Sequence, residues 1–241
     1  SLFGALLIAA LSVQSVQLYR GLALPGAYLK QHNQDLSELI DSHAVVTGPY
    51  TPALTIDNEL RGVIYMFGLT NVEKDLFQRF PITHVAVDRT NWNLALRDFP
   101  FLKPARKLAE MSVRDQVIAL FRVPGADAPE TDFERGVAFF DQGVYDSALT
   151  LFERFSSEYP ENLHGKLRII STRATQGDLA SALTELGRIL GEHPDNYMLH
   201  AFADGFYRNA HRITRDGQYQ RLALFHRLKA QALNRKVALS P

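Results

Sequence analysis

Gly143-Val144-Tyr145-Asp146-Ser147-Ala148-Leu149-Thr150-Leu151-Phe152 and Gly177-Asp178-Leu179-Ala180-Ser181-Ala182-Leu183-Thr184-Glu185-Leu186 stand 34 residues apart and match in type. Gly143 pairs with Gly177, Tyr145 with Leu179, Ala148 with Ala182, Leu149 with Leu183 and Phe152 with Leu186, and further on Pro160 pairs with Pro194. Each pair has a mechanical reading. Glycine permits the left-handed turn between two helices, alanine lets them cross closely, the large apolar residue fills the space between them, and proline stops the second helix. The spacing therefore predicts helical hairpins repeating every 34 residues.

Period and residue types resemble the tetratricopeptide family. The first repeat covers residues 129–162, with Gly136 and Phe139 at the family's positions in its first helix, and the second covers 163–196, with Ile170 and Arg173 there. A third begins at Tyr197 with Ala201, Phe206 and Tyr207. Its turn is displaced, since Gly217 and Tyr219 follow Gly177 and Leu179 by 40 residues, so a lengthened final hairpin is expected, with a capping helix near residues 218–237. The resemblance implies a scaffold for binding a protein or peptide segment. Its groove positions fall on Phe133, Val137, Phe140, His164, Leu167 and Met198, an apolar set suited to a hydrophobic helix or extended segment, including one from the chain's own N-terminal half.

Working outward, Pro124-Gly125-Ala126-Asp127-Ala128 has no periodicity and reads as a linker between residues 21–123 and 129–241. Upstream of it, apolar runs rich in β-branched residues (44–47, 62–66, 84–88) alternate with helical spacing over 52–60, 72–80 and 91–99. That order predicts a parallel sheet with crossover helices. Runs 105–111 and 116–123 predict an antiparallel hairpin at its edge. The expected fold class is a small α/β parallel-sheet domain with an antiparallel edge hairpin, followed by an all-α solenoid of two to three helical hairpins. An amphipathic helix with Leu29, Leu36, Leu39 and Ile40 on one side should precede the sheet and end at Asp41 and Ser42.

Residues 1–19 carry no charge, and Leu2 to Val13 is apolar on every helical face. Twelve residues rise only about 18 Å, short of a bilayer core of about 30 Å, so this segment fits the end of a membrane helix, a buried core helix or a signal-like stretch. The chain has no cysteine, which removes disulfides and thiol chemistry and leaves periplasm and cytoplasm both open. Its formal net charge is zero, so the molecule as a whole has no electrostatic reason to bind nucleic acid. Residues 205–241 nevertheless hold eight lysines or arginines against one acid, Asp216, which suits a solvated helix face, an anionic membrane surface or an acidic partner.

Sequence signatures of catalysis and of cofactor binding are missing: there is no Walker loop, nucleophile elbow, zinc-protease helix or dinucleotide fingerprint. No two histidines stand three or four apart, so neither a metal nor a cofactor is expected. Gly48, Tyr50 and Asp88 fall at the carboxyl ends of parallel strands, where α/β sheets bind ligands. The same residues also suit a tight turn and a helix cap.

Residues 1–123, with Val46-Thr47-Gly48-Pro49 and Phe80-Pro81-Ile82-Thr83-His84-Val85-Ala86-Val87-Asp88, resemble the extracytoplasmic α/β tail of polytopic membrane glycosyltransferases that use polyprenyl-phosphate sugars. The resemblance implies a membrane-associated, periplasmic module without catalytic residues, those lying between membrane helices in that family. The alternatives are a free-standing repeat adaptor and a small-molecule-binding α/β domain.

Overall fold

The computed structural model describes residues 29–68, 75–113 and 116–238; the apolar segment over residues 1–20 lies outside them. Helix α1 occupies residues 29–39 and presents Leu36 and Leu39 to the interior, with Ile40 just beyond it. There follow β1 (Val45–Gly48), α2 (Thr51–Thr55), β2 (Arg61–Ile64), α3 (Leu76–Arg79), β3 (His84–Val87), α4 (Arg89–Asp98), a 3-10 turn at Pro100–Leu102, β4 (Arg106–Val113) and β5 (Gln116–Arg122). They build a mixed five-stranded sheet in the order β2-β1-β3-β5-β4. β1 runs parallel to β2 and β3, whereas β5 is antiparallel to both β3 and β4.

Alternation along the strands gives the sheet two buried faces. Val46, Ala86, Ile118 and Leu120 pack with α1 on one side. Val45, Val85, Val87 and Val123 pack on the other with Leu76, Ala95, Phe67 and Phe99. Among the elements that end elsewhere than expected, α2 and β4 show why. α2 stops after five residues because Asn33 of α1 reaches across: its Oδ1 accepts from the Asp57 amide, and Asn58 donates to the Asn33 carbonyl. β4 runs on to Val113, which pairs with Gln116, so Ser112 and Val113 belong to the strand rather than to the turn.

Among the described residues the second half consists of three helical hairpins: α5 (Asp132–Asp141) with α6 (Tyr145–Glu158), α7 (Leu163–Thr175) with α8 (Leu179–Glu192), and α9 (Tyr197–Thr214) with α10 (Gly217–Ala238). Each helix packs on the next along the chain. The first two turns are alike. Gly143 (φ 77°) and Gly177 (φ 94°) take the left-handed conformation, and the following amides, of Val144 and Asp178, return to the carbonyls of Phe139 and Arg173. Ala148 and Ala182 are fully buried where the paired helices cross. A further pair at the same spacing, Asn162 and Asn196, caps α7 and α9. The third turn places Arg215 in the left-handed region at φ 62°.

Residues 124–128 join β5 to α5 without separating two interiors. One apolar cluster holds Leu36, Leu39, Ile40, Leu108, Met111 and Leu120 together with Phe133, Val137, Ala148 and Phe152. Polar bonds reinforce the junction. The Thr131 hydroxyl, which caps α5, donates to the Leu39 carbonyl at 2.7 Å.

Candidate functional site

The start of α7 is fixed from two directions. Asn162 caps it by accepting from the His164 amide, while its own Nδ2 donates to Glu38 Oε2 at 2.9 Å and to the Asp35 carbonyl at 3.3 Å on α1. One turn into the helix, Arg168 Nη2 donates to the Leu108 carbonyl at 2.7 Å and to the Lys107 carbonyl at 3.4 Å. Leu108 lies where the β4–β5 register shifts between Lys107 and Ala109, a bulge on the outer strand of the sheet. The bulge presents its carbonyl to α7.

Between this strand edge and the facing helices is a cleft of about 310 Å³. β4 contributes Lys107 to Glu110; α7 contributes His164, Leu167 and Arg168; α9 contributes Met198, Ala201 and Phe202. Three of the six expected groove residues, His164, Leu167 and Met198, thus line one open space. The other three do not. Phe133 and Val137 are 0% exposed within the shared core, and Phe140 packs against that core with the Arg168 guanidinium over its ring at 5.9 Å. The first hairpin's inner face is covered by the chain's own α/β half, and the open part of the groove belongs to the second and third hairpins.

The cleft's electrostatics are simple. Lys107 pairs with Glu110 at the rim. Burial pushes the His164 imidazole down to about 3, helped by His32 and Arg168 nearby, so it is neutral at physiological pH. Its Nε2 is buried and has no hydrogen-bond partner among the described residues. Burial also lowers the Arg168 guanidinium from its usual value, partly offset by Asp141 and Glu110.

Gly48, Tyr50 and Asp88 come together as their positions at strand ends suggested, but their bonds serve the fold. Asp88 caps α4: Oδ1 accepts from the amides of Thr90 and Asn91, and Oδ2 accepts from the Tyr50 hydroxyl at 2.9 Å and from Asn91 Nδ2 at 2.6 Å. Four donors fill the sites a carboxylate offers. Burial raises its pKa, and these bonds more than offset that, holding it below the usual range. Gly48 has φ 141°, and a Cβ there would stand 2.1 Å from the Ala86 carbonyl oxygen, so glycine is required for β1 to pass β3.

Among the described residues, no group of three or more acidic or imidazole side chains is placed to hold a metal ion. No described helix is long and apolar enough to cross a membrane. Sequence reasoning missed Arg168 and the β4 edge. Arg168 directly follows a groove position, Leu167, a signal that gains meaning only once β4 is seen opposite it. No protein-family model, curated protein or solved structure matches this chain.

Proposed function

We propose that this chain is a non-catalytic docking module that receives a polypeptide segment in the cleft between β4 and helices α7 and α9. The observation that carries the reading is the meeting of two surfaces suited to a peptide. One is the apolar inner face of helical hairpins that resemble tetratricopeptide repeats, represented by Leu167, Met198 and Phe202. The other is an outer β-strand, whose alternate main-chain groups turn away from the sheet and can pair with an extended chain. The strand endings at Gly48-Pro49 and Phe80–Asp88 support a parent protein of the membrane glycosyltransferase kind, with this module extracytoplasmic. In that setting the module tethers or positions a partner of the enzyme.

Ala201→Trp tests the docking reading. Ala201 lines the cleft yet is exposed, so a tryptophan fills the open space without disturbing the core. Peptides selected from a displayed random library against the unaltered chain should lose binding to the Ala201→Trp protein while its melting temperature is unchanged. Undiminished binding by the substituted protein contradicts the assignment. The parentage is tested by the gene: several hydrophobic segments encoded upstream of Ser1 support it, and a start codon adjacent to Ser1 contradicts it.

A further inference from the structure

Resting on the docking reading, we infer that the segment received by the cleft is acidic, with an Asp or Glu carboxylate of the partner set against the guanidinium of Arg168 and apolar neighbours against Leu167, Met198 and Phe202. The bonding of Arg168 carries this. Its only hydrogen-bond acceptors among the described residues are two main-chain oxygens, of Leu108 and Lys107, and both are served by Nη2. Nε and Nη1 make no hydrogen bond there, and no described carboxylate lies within ion-pair distance of the group. A guanidinium carries five N–H donors in a planar fork that matches a carboxylate in two places at once.

The contrast with Arg122 is instructive. That guanidinium, buried where Arg168 is half-buried, is bonded to Glu134 and Glu130. Taking a cation out of water without a counter-ion is costly, and proteins ordinarily supply one. Around the cleft, Lys107 and Glu110 pair with each other, His164 is uncharged, and Asp141 and Glu110 influence Arg168 from beyond bonding distance. Arg168 is therefore the cation lining the cleft that has no carboxylate at ion-pair distance among the described residues, and an incoming carboxylate would complete the pair. Phe140 below the guanidinium holds its plane in place.

The competing explanation is that Arg168 serves only to fasten α7 to the bulge in β4. Binding of a blocked, fluorescently labelled hexapeptide of leucine and alanine with one central glutamate separates the two. The same peptide with glutamine or lysine in place of glutamate provides the comparison. The unaltered chain should bind the glutamate peptide about tenfold tighter than the glutamine peptide, a preference that shrinks as salt is raised. Arg168→Gln should erase that preference, so that the glutamate and glutamine peptides bind alike, and Arg168→Lys should keep part of it. Equal binding of all three peptides by the unaltered chain overturns the acidic specificity and leaves the docking reading standing. Failure of all three to bind, in the unaltered chain, overturns both. Should Arg168→Gln unfold, the salt dependence of the unaltered chain and the Arg168→Lys protein decide the matter in the same way.

Discussion

Arg122 on β5 donates to Glu134 Oε1 on α5 at 2.7 Å, with the Glu134 side chain fully out of water, and so ties the sheet to the first helical hairpin. His84 of β3 completes the arrangement. Its Nε2 lies 2.9 Å from the same oxygen and its Nδ1 lies 2.8 Å from the Thr83 hydroxyl. With the proton on Nε2, the neutral ring donates to Glu134 and accepts from Thr83.

Replacing Glu134 by glutamine should cost up to about 3–5 kcal/mol, because it leaves the buried Arg122 cation with only the half-buried Glu130 as counter-charge. The pH dependence has a definite sign. Burial pushes His84 below its usual value of 6.5, more than Glu134 raises it. Burial raises Glu134, but the bonds from His84 and the Thr131 amide and the charge of Arg122 hold it below 4.5. In both cases the unfolded chain takes up the proton at higher pH, so stability falls as pH drops, first below about 6.5 and again below about 4.5. Urea titrations of the unaltered chain and Glu134→Gln should converge below about pH 4.5, where only the unaltered chain loses the Glu134 contribution; curves that stay parallel there contradict the assignment.

Glycine-to-alanine substitutions should have opposite signs at two helical sites. A Cβ on Gly136 would stand 2.6 Å from the Phe152 ring, whereas one on Gly187 meets nothing within 4 Å. Alanine gains up to about 1 kcal/mol of helix propensity at either site. Gly187→Ala should raise the melting temperature, and Gly136→Ala should lower it, since overpacking costs about 1–3 kcal/mol. Ala148→Leu and Ala182→Leu should lower it for the same reason. A higher melting temperature for Gly136→Ala would contradict the close crossing of α5 and α6.

The shared core predicts cooperative unfolding. Trp92, the single tryptophan, stacks on Phe121 with ring centroids 3.8 Å apart on the sheet face away from α1. Its fluorescence reports the α/β half, while far-ultraviolet dichroism is dominated by the helices. The two transitions should coincide in urea, and Phe133→Ala, at about 3–5 kcal/mol, should shift them together. Two separated transitions would show that the halves do not share one core energetically.

The order of helices and strands was legible in the sequence because it is local: apolar runs gave β1 and β3, and the 34-residue register gave α5 to α8. What escaped was set by distant partners. The early end of α2 depends on Asn33 of α1, and the reach of β4 through Ser112 and Val113 depends on pairing with β5. The expected groove residues carried no label separating Phe133, sealed by α1 and β4, from Leu167, left open. Gly48, Tyr50 and Asp88 could be grouped by strand-end position, but periodicity could not reveal that Asp88 already has four donors.

His200 and His226, 26 residues apart, were invisible as a pair. Their Nδ1 atoms lie 2.7 Å apart, and His200 Nε2 donates to the Pro194 carbonyl at 2.8 Å. That leaves His200 Nδ1 as acceptor and His226 Nδ1 as donor. Burial, with His200 adding to it, pushes His226 down to about 4. Its contribution to stability should therefore fade as pH drops from about 6.5 to about 4. His226→Phe should flatten the stability profile over that range. A difference between the two proteins that is independent of pH would contradict the pairing.

The docking claim meets its most direct test in hydrogen–deuterium exchange with and without a peptide selected for binding. Binding at the cleft predicts slowed exchange in β4 and along α7 and α9, with α10 and the loops at Gly48 and Asp88 unchanged. Slowed exchange confined to α10, where Leu224, Phe225 and Leu228 are more than half exposed beside the basic residues, would contradict it and move the binding surface to the terminal helix.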